Sequence, residues 1–147
     1  MTIEESWKVP LPHLTRVLHR SRAAVAARVH IDGRAVRVYS VHFGSPWGMG
    51  GGGRRDQARP VLAAALASTD PVVIAGAFNS KGVSRVFESA GFLWITRDVG
   101  RTVGPFSFDH IVARGLRPAG RILAGVVREA KEASDHHPVW ARLYLRD

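Results

Sequence analysis

The 147-residue sequence contains no cysteine, so neither a disulfide framework nor a thiolate metal site can form. Any bound metal ion must use oxygen or imidazole ligands, which favours Mg²⁺, Mn²⁺ or Ca²⁺ over structural zinc. The sequence also has no apolar run of about 18 residues or more, the minimum for a membrane-spanning helix. Its first residues include Glu4 and Glu5, whereas a signal peptide starts with basic and then apolar residues. These absences predict a soluble chain, cytoplasmic rather than secreted.

Lysine is scarce, because only Lys8, Lys81 and Lys131 occur, yet the formal net charge is +9. The positive charge is therefore carried mainly by arginine, whose planar guanidinium group binds phosphate oxygens with two parallel hydrogen bonds. A polyanionic partner such as nucleic acid explains this bias. A genome rich in Ala, Arg, Gly and Val codons explains it equally well, so charge alone does not decide the function.

The length and the 46% hydrophobic content predict one globular α/β domain over residues 1–147. Two β-rich runs, residues 24–31 and 35–42, flank Asp32-Gly33 and predict a hairpin. Residues 48–53 include five glycines and predict a mobile loop without helix or strand. Residues 55–67 have helical composition, with Pro60 either kinking the helix or marking its first turn.

The remaining segments complete the prediction of a mixed sheet with flanking helices. Residues 72–75 form a short apolar run that is typical of a parallel strand buried on both faces. Further along the chain we expect a helix at 83–90, strands at 92–95 and 108–112, an ambiguous segment at 121–132, and a strand at 139–145 that closes the sheet.

Polar side chains fall at the ends of the predicted strands, where ligand sites of α/β sheets gather. They are His42, Asn79, Asp109, Asp135 and His136. Carboxylate, amide and imidazole groups together suit phosphodiester cleavage, which needs a cation, a base and donors facing the phosphate. Each residue alone also has an ordinary structural explanation, such as packing, capping or pairing with arginine. A zinc cluster of His110, His136 and His137 has no metal-ligand spacing to support it.

Five blocks, taken in order from about residue 22 to the C-terminus, resemble the endonuclease/exonuclease/phosphatase family. This family includes DNase I-like nucleases, abasic-site endonucleases, sphingomyelinases and inositol polyphosphate phosphatases. The blocks are residues 38–43, which end in His42, Arg55 with Gln57, residues 73–80, residues 108–111 and residues 134–139. The resemblance implies a DNase I-like fold.

The resemblance also implies residue roles. His136 would activate water or stabilise the phosphate, His42 would be a second imidazole at the phosphate, and Asp109 would support His42 or a second metal position. Asn79 would hold the scissile phosphate, orient the nucleophile and contact the metal, and Asp135 would be a metal ligand or the partner of His136. The implied cofactor is Mg²⁺, with Mn²⁺ as its substitute. Arg54 and Arg55, beside the glycine-rich stretch, are our candidates for phosphate binding.

The sequence departs from the family at Ala77, where the family has aspartate. A methyl group neither binds a cation nor accepts a proton, so catalysis should be severely impaired. An introduced inactivating substitution, a naturally decayed enzyme and a reorganised site are three explanations. We favour the first, because the flanking residues are intact.

A second departure is the family's first half-domain, which supplies an early asparagine and a metal-binding glutamate. Nothing before Arg22 resembles it, so residues 1–21 stay unassigned and neither Glu4 nor Glu5 is chosen as that ligand. A lone sheet would expose apolar surface. We therefore expect one sheet per chain, with two copies packing as a homodimer to complete a four-layer α/β sandwich. A truncated chain or gene fragment is the alternative.

The leading functional hypothesis is a DNA nuclease. A phosphatase or lipid phosphodiesterase shares the same core residues and is the close alternative. A non-catalytic nucleic-acid-binding protein is compatible with Ala77. A structural subunit that pairs with a separate half-domain chain is the last alternative.

Overall fold

A six-stranded mixed sheet forms the centre of the protein in a computed structural model that describes residues 1–13, 21–118, 121, 123–130 and 134–145. Its strands follow the order β1-β2-β3-β4-β6-β5, and only β3 and β4 run parallel to each other. The six strands are β1 (Thr2–Leu11), β2 (Arg22–Ile31), β3 (Arg34–His42), β4 (Val72–Ala77), β5 (Leu93–Trp94) and β6 (Asp109–Arg114). The predicted hairpin is the β2–β3 pair, and the predicted mixed sheet is confirmed.

Two helices cover one face of this sheet: α1 (Gly51–Leu66) joins β3 to β4, and α2 (Lys81–Ser89) follows β4. Their buried side chains pack on the odd-numbered residues of β3 and the even-numbered residues of β4, as the alternation of a strand requires. Tyr39, Ile74 and Phe78 are fully buried in this layer. Among the described residues, no helix is both long enough and apolar enough to cross a membrane.

The prediction that residues 48–53 form a loop without helix is wrong at its C-terminal end. Gly51, Gly52 and Gly53 form the first turn of α1, so Pro60 lies inside the helix. Tertiary contacts outweigh the poor helix propensity of glycine. The side chain of Gln57 accepts a hydrogen bond from the Gly44 amide at 2.8 Å, and Met49 packs so closely that a Cβ at Gly53 would lie 2.9 Å from its Cγ.

The prediction that residues 139–145 close the main sheet is also wrong. These residues form β9 (Val139–Arg142) and β10 (Tyr144–Leu145), which pair with β8 (Leu123–Val126) and β7 (Leu116–Arg117) in two separate ladders. The ambiguous segment therefore contains a strand, although Ile122 and residues 131–133 lie outside the described residues. The ladders pack on the face of the main sheet that the helices leave open.

The N-terminal segment, which the sequence left unassigned, contributes the edge strand β1 along β2. The Glu4 carboxylate accepts hydrogen bonds from His30 and Arg28, at 2.7 and 2.5 Å. These two contacts lower the pKa of Glu4. Glu4 therefore binds side chains of the neighbouring strand and helps to hold β1 against β2. Residues 14–20 lie outside the described part of the chain.

Gly76 allows β3 and β4 to approach each other next to the strand ends. Its φ is +137°, and a Cβ there would lie 2.1 Å from the carbonyl oxygen of Val41. We expect Gly76→Ala to lower the free energy of unfolding by about 3 kcal/mol, because the backbones must separate. The matched control is Gly52→Ala, where the added methyl group meets no atom within 4 Å.

The control variant should be as stable as the parent, or more stable by up to about 1 kcal/mol, because alanine favours helix. Urea unfolding followed by circular dichroism measures both variants. Equal stability of the two variants would contradict the close approach at Gly76.

Candidate active site

Three neighbouring strands place His42, Ala77 and Asp109 in one row. Strand pairing aligns His42 with Ala77 and Ala77 with Asp109. Because residues paired across a ladder point to the same face, the three side chains project together on the face opposite the helices. Ala77 therefore occupies the position between the imidazole and the carboxylate.

Asp109 and His136 form the central contact of the site. Nδ1 of His136 lies 2.9 Å from both carboxylate oxygens of Asp109. Asp109 is only 9% exposed, whereas His136 is partly exposed. With Nδ1–H donating to the carboxylate, Nε2 lies at the far side of the ring from Asp109 and carries the lone pair whenever the ring is deprotonated. This arrangement suits a base that accepts a proton from water or from a hydroxyl group.

Thr102, which no sequence motif marks, ties together the two segments that carry this pair. Its side-chain oxygen accepts hydrogen bonds from the amides of Phe108 at 3.0 Å and Asp109 at 3.1 Å. Its carbonyl oxygen accepts a bond from the His137 amide at 2.8 Å. A threonine in a loop carries no sequence signal for such a role, because these contacts depend on the folded positions of distant segments.

Asn79 is buried beside the row in a left-handed conformation with φ +57°, which asparagine tolerates better than most residues. Its side-chain amide donates to the Phe43 carbonyl at 2.8 Å, and its backbone amide donates to the Phe108 carbonyl at 3.0 Å. Asn79 thus joins the end of β3 to the start of β6.

His42 lies at the other end of the row, near two positive groups. Packing around the imidazole lowers the pKa of His42, and the charges of Arg22 and His136 lower it further, while Asp109 acts in the opposite direction. His42 is therefore neutral near pH 7. Arg22 also donates a hydrogen bond to the His42 carbonyl at 3.2 Å, which places a guanidinium group beside this end of the site.

This arrangement of strands and helices matches solved structures. The chain is similar to an endonuclease/exonuclease/phosphatase from Beutenbergia cavernae, with 21% identity, a TM-score of 0.72, and 98% of this chain and 45% of that chain covered. It is similar to sphingomyelinase C from Streptomyces griseocarneus, with 17% identity, a TM-score of 0.74, and coverages of 95% and 64%. It is also similar to D. rerio TDP2 complexed with single-strand DNA product, with 19% identity, a TM-score of 0.70, and coverages of 96% and 67%.

The chain has the DNase I-like fold of the endonuclease/exonuclease/phosphatase family. The resemblance read from the sequence is thereby confirmed at the level of the fold. No protein-family model and no curated protein matches the sequence. The chain spans between 45% and 67% of the length of the three structures named above.

Asp135, a predicted metal ligand, is not part of the Asp109–His136 pair. Its side chain is exposed, and Ser134 donates a hydrogen bond to it at 3.4 Å. Ser134 also accepts a bond from the His136 amide at 3.0 Å, so this segment orients His136. A cavity of about 350 Å³ opens beside the pair and is bounded by residues 134 and 136–139 and by the ends of β4 and β6.

The side chains present do not form a complete metal site. In the described ranges, no group of three or more histidine, aspartate and glutamate side chains could hold a metal ion. Both oxygens of Asp109 are engaged by His136, and Ala77 supplies no ligand. Position 77, where the resemblance implies an aspartate, lies between His42 and Asp109.

Arg54 differs from its predicted role as a free phosphate-binding residue. It is 9% exposed and donates hydrogen bonds to the carbonyl oxygens of Met49 and Ser45, so its guanidinium group holds the loop that precedes α1. Burial and the nearby charge of Arg55 lower the pKa of Arg54. Arg55 is exposed at the start of the helix and is accessible to an anion.

His110 lies on the helix-covered face, away from His136, which argues against the zinc cluster considered from sequence. Its Nδ1 accepts a hydrogen bond from Trp94 at 3.2 Å, and its Nε2 donates to the Ser107 carbonyl at 3.1 Å. Burial lowers the pKa of His110 from 6.5 to about 4. His110 is therefore a neutral core residue.

This burial predicts an acid-sensitive fold. As the pH falls below 6.5, the unfolded chain binds a proton at this histidine while the folded chain does not, so stability is lost from pH 6.5 down to about 4. His110 should contribute a loss of about 2 kcal/mol between pH 7 and pH 5. In His110→Gln, the stability at pH 7 should be lower and its decline toward pH 5 smaller by that amount. Urea unfolding at both pH values measures this, and an unchanged decline in the variant would count against a neutral, buried His110.

Proposed function

We propose that this chain carries the phosphodiester-hydrolysing site of a DNA nuclease, in a form inactivated by Ala77. The observation that carries the proposal is the Asp109–His136 pair, which lies at the end of the row containing His42 and position 77. A buried carboxylate holds the imidazole by Nδ1 and leaves Nε2 for proton transfer. This is the arrangement that activates water for attack on a phosphoester.

In this proposal, Nε2 of His136 accepts a proton from the attacking water, and Asp109 stabilises the imidazolium that forms. His42 is neutral and contributes a hydrogen bond to the phosphate, with Asn79 positioned between the two strand ends. Arg55 supplies positive charge at the start of α1. Mg²⁺, or Mn²⁺ as its substitute, is the proposed cofactor of the form with aspartate at position 77, where Asp135 and Asn79 are further proposed ligands.

The names of the similar proteins support phosphodiester substrates. One is a TDP2 bound to a single-strand DNA product and another is a sphingomyelinase C. The net charge of +9 supports the polyanionic substrate over the neutral lipid. Lipid phosphodiesterase or phosphatase activity is the second candidate, favoured by the likeness to sphingomyelinase C, and a non-catalytic DNA-binding protein is the third, favoured by Ala77.

Restoring the carboxylate tests the proposal. We expect Ala77→Asp to nick supercoiled plasmid DNA in Mg²⁺ or Mn²⁺ at least about 100-fold faster than the parent chain, because it adds the missing ligand within the row. Chelator should abolish this activity. Ala77→Asn has the same shape without the charge and should stay inactive, and His136→Ala introduced together with Ala77→Asp should remove the gain.

The same series separates the alternatives. DNA that is retained by every form and cleaved by none supports the DNA-binding protein. Hydrolysis of sphingomyelin or phosphomonoesters without nicking supports the second candidate. Activity that needs an added half-domain chain supports a paired subunit. If Ala77→Asp hydrolyses no phosphoester at all, with or without such a partner, the proposed function is wrong.

We also propose that two copies associate through the sheet face opposite the helices. The small ladders cover this face near β4 and β6, whereas Val25 on β2 is 52% exposed and its neighbours on the same face, Ala27 and Val38, are partly buried. An apolar strip of this kind is a common contact between two sheets. A second copy would cover it with the same strip.

Mass measurement by light scattering at micromolar concentration tests this association. The parent should show twice the 16.0 kDa chain mass, and Val25→Lys should show the single-chain mass. Leu66→Lys, which changes an exposed leucine on α1, is the matched control and should stay dimeric. A single-chain mass for the parent would refute the homodimer.

A further inference from the structure

Three aromatic side chains form a cluster at the edge of the site, which we call the aromatic platform: Trp47, Phe106 and Phe108. The Trp47 ring meets the Phe106 ring at 6.3 Å and the Phe108 ring at 6.2 Å, each at 82°. The two phenylalanine rings are parallel and 4.9 Å apart. Both contacts of Trp47 are edge-to-face contacts between aromatic rings, and the Trp47 side chain stays 77% exposed.

Hydrogen bonds hold the platform in place. The amides of Thr102 and Val103 donate to the Phe106 carbonyl at 2.8 and 3.0 Å, which closes a tight turn under the Phe106 ring. On the other side, the amides of Gly48 and Met49 donate to the Ser45 carbonyl at 3.2 and 2.9 Å, which fixes the turn that carries Trp47. The platform is therefore preorganised, and a ligand that stacks on it pays little ordering entropy.

The platform is joined directly to the proposed catalytic pair. Phe108 precedes Asp109 in the chain, and the side-chain oxygen of Thr102 holds the amides of both residues. The Phe108 carbonyl also accepts the Asn79 backbone amide. The same short segment thus anchors both the aromatic platform and the carboxylate of the proposed reaction.

We infer that Trp47, supported by Phe106 and Phe108, is a specificity-determining residue that stacks a nucleobase next to the scissile phosphate. This inference rests on the proposed function, since the platform adjoins the proposed phosphoester site. Exposed aromatic surface is unfavourable in water, and nucleobases stack on it with little regard to sequence. Arg101, adjacent to Thr102, and Arg22, bonded to the His42 carbonyl, supply positive charge for the flanking phosphates.

A pair of oligonucleotides of equal charge tests the inference on the parent chain, with Ala77 in place and chelator present so that nothing is cleaved. One is a fluorescein-labelled single-stranded hexamer of thymidylate, and the other has the same backbone with every base replaced by an abasic analogue. Fluorescence anisotropy at fixed low salt gives the two dissociation constants. The parent should bind the base-bearing strand about tenfold more tightly than the abasic strand.

Trp47→Ala should lose that preference, because it should bind the base-bearing strand about tenfold more weakly and the abasic strand as tightly as the parent does. Trp140→Ala is the matched control, because Trp140 is also an exposed tryptophan, at 46%, and makes no ring contact with the platform. It should behave like the parent. Equally weakened binding of both strands by Trp47→Ala, or no preference of the parent for the base-bearing strand, would overturn the inference.

Two further measurements distinguish a failure of this inference from a failure of the proposed function. If the parent shows no base preference but binds phosphatidylcholine vesicles in a Trp47-dependent way, the platform contacts a lipid surface and the nucleobase assignment is wrong. If Ala77→Asp hydrolyses DNA but Trp47→Ala leaves the preference for the base-bearing strand unchanged, the inference about the platform is wrong and the proposed nuclease function is supported. A base preference that depends on Trp47 supports the platform even when no variant hydrolyses a phosphoester.

Discussion

The register of three central strands is the constraint on which the rest of the site depends. Hydrogen bonding between β3, β4 and β6 aligns His42, position 77 and Asp109, and a shift of one residue in either ladder would send one of these side chains to the helix-covered face. Gly76 maintains this register, because its lack of a side chain lets the two parallel backbones meet beside Val41. The geometry of the proposed site and the packing of the sheet therefore have the same origin, and neither changes without the other.

Much of this architecture follows from local sequence patterns. The Asp32-Gly33 turn predicts the β2–β3 hairpin, and the apolar run before Gly76 predicts a buried strand parallel to β3. The strand-end positions of His42, Asn79 and Asp109 also follow from the sequence, because strand alternation and strand ends are encoded over a few residues. The Asp109–His136 contact has no local signal, since 27 positions separate the two residues, and the resemblance instead implied that Asp109 supports His42 or a second metal position.

Other features depend on contacts between distant segments and leave no local signal. The first turn of α1 contains three glycines. It forms because the side chains of Gln57 and Arg54, further along the helix, make hydrogen bonds to the preceding loop and because Met49 packs against Gly53. Thr102 positions Asp109 although no motif marks it. The strands after residue 115 are too short for periodicity to assign, and their separate ladders arise from packing on the open face of the main sheet.

The glycine-rich start of α1 is also the segment that we expect to unfold locally before the central strands do. In the described part of the chain, no side chain caps this helix end. No acidic residue lies in its first turn, and three successive glycines gain more backbone entropy on unwinding than other residues would. Backbone amides at residues 51–53 should therefore exchange with solvent at a lower free energy than those of the central strands. The first turn of α1 can unwind while the sheet that holds the row stays intact. The protein thus combines a rigid row of side chains with an adjoining element of low local stability.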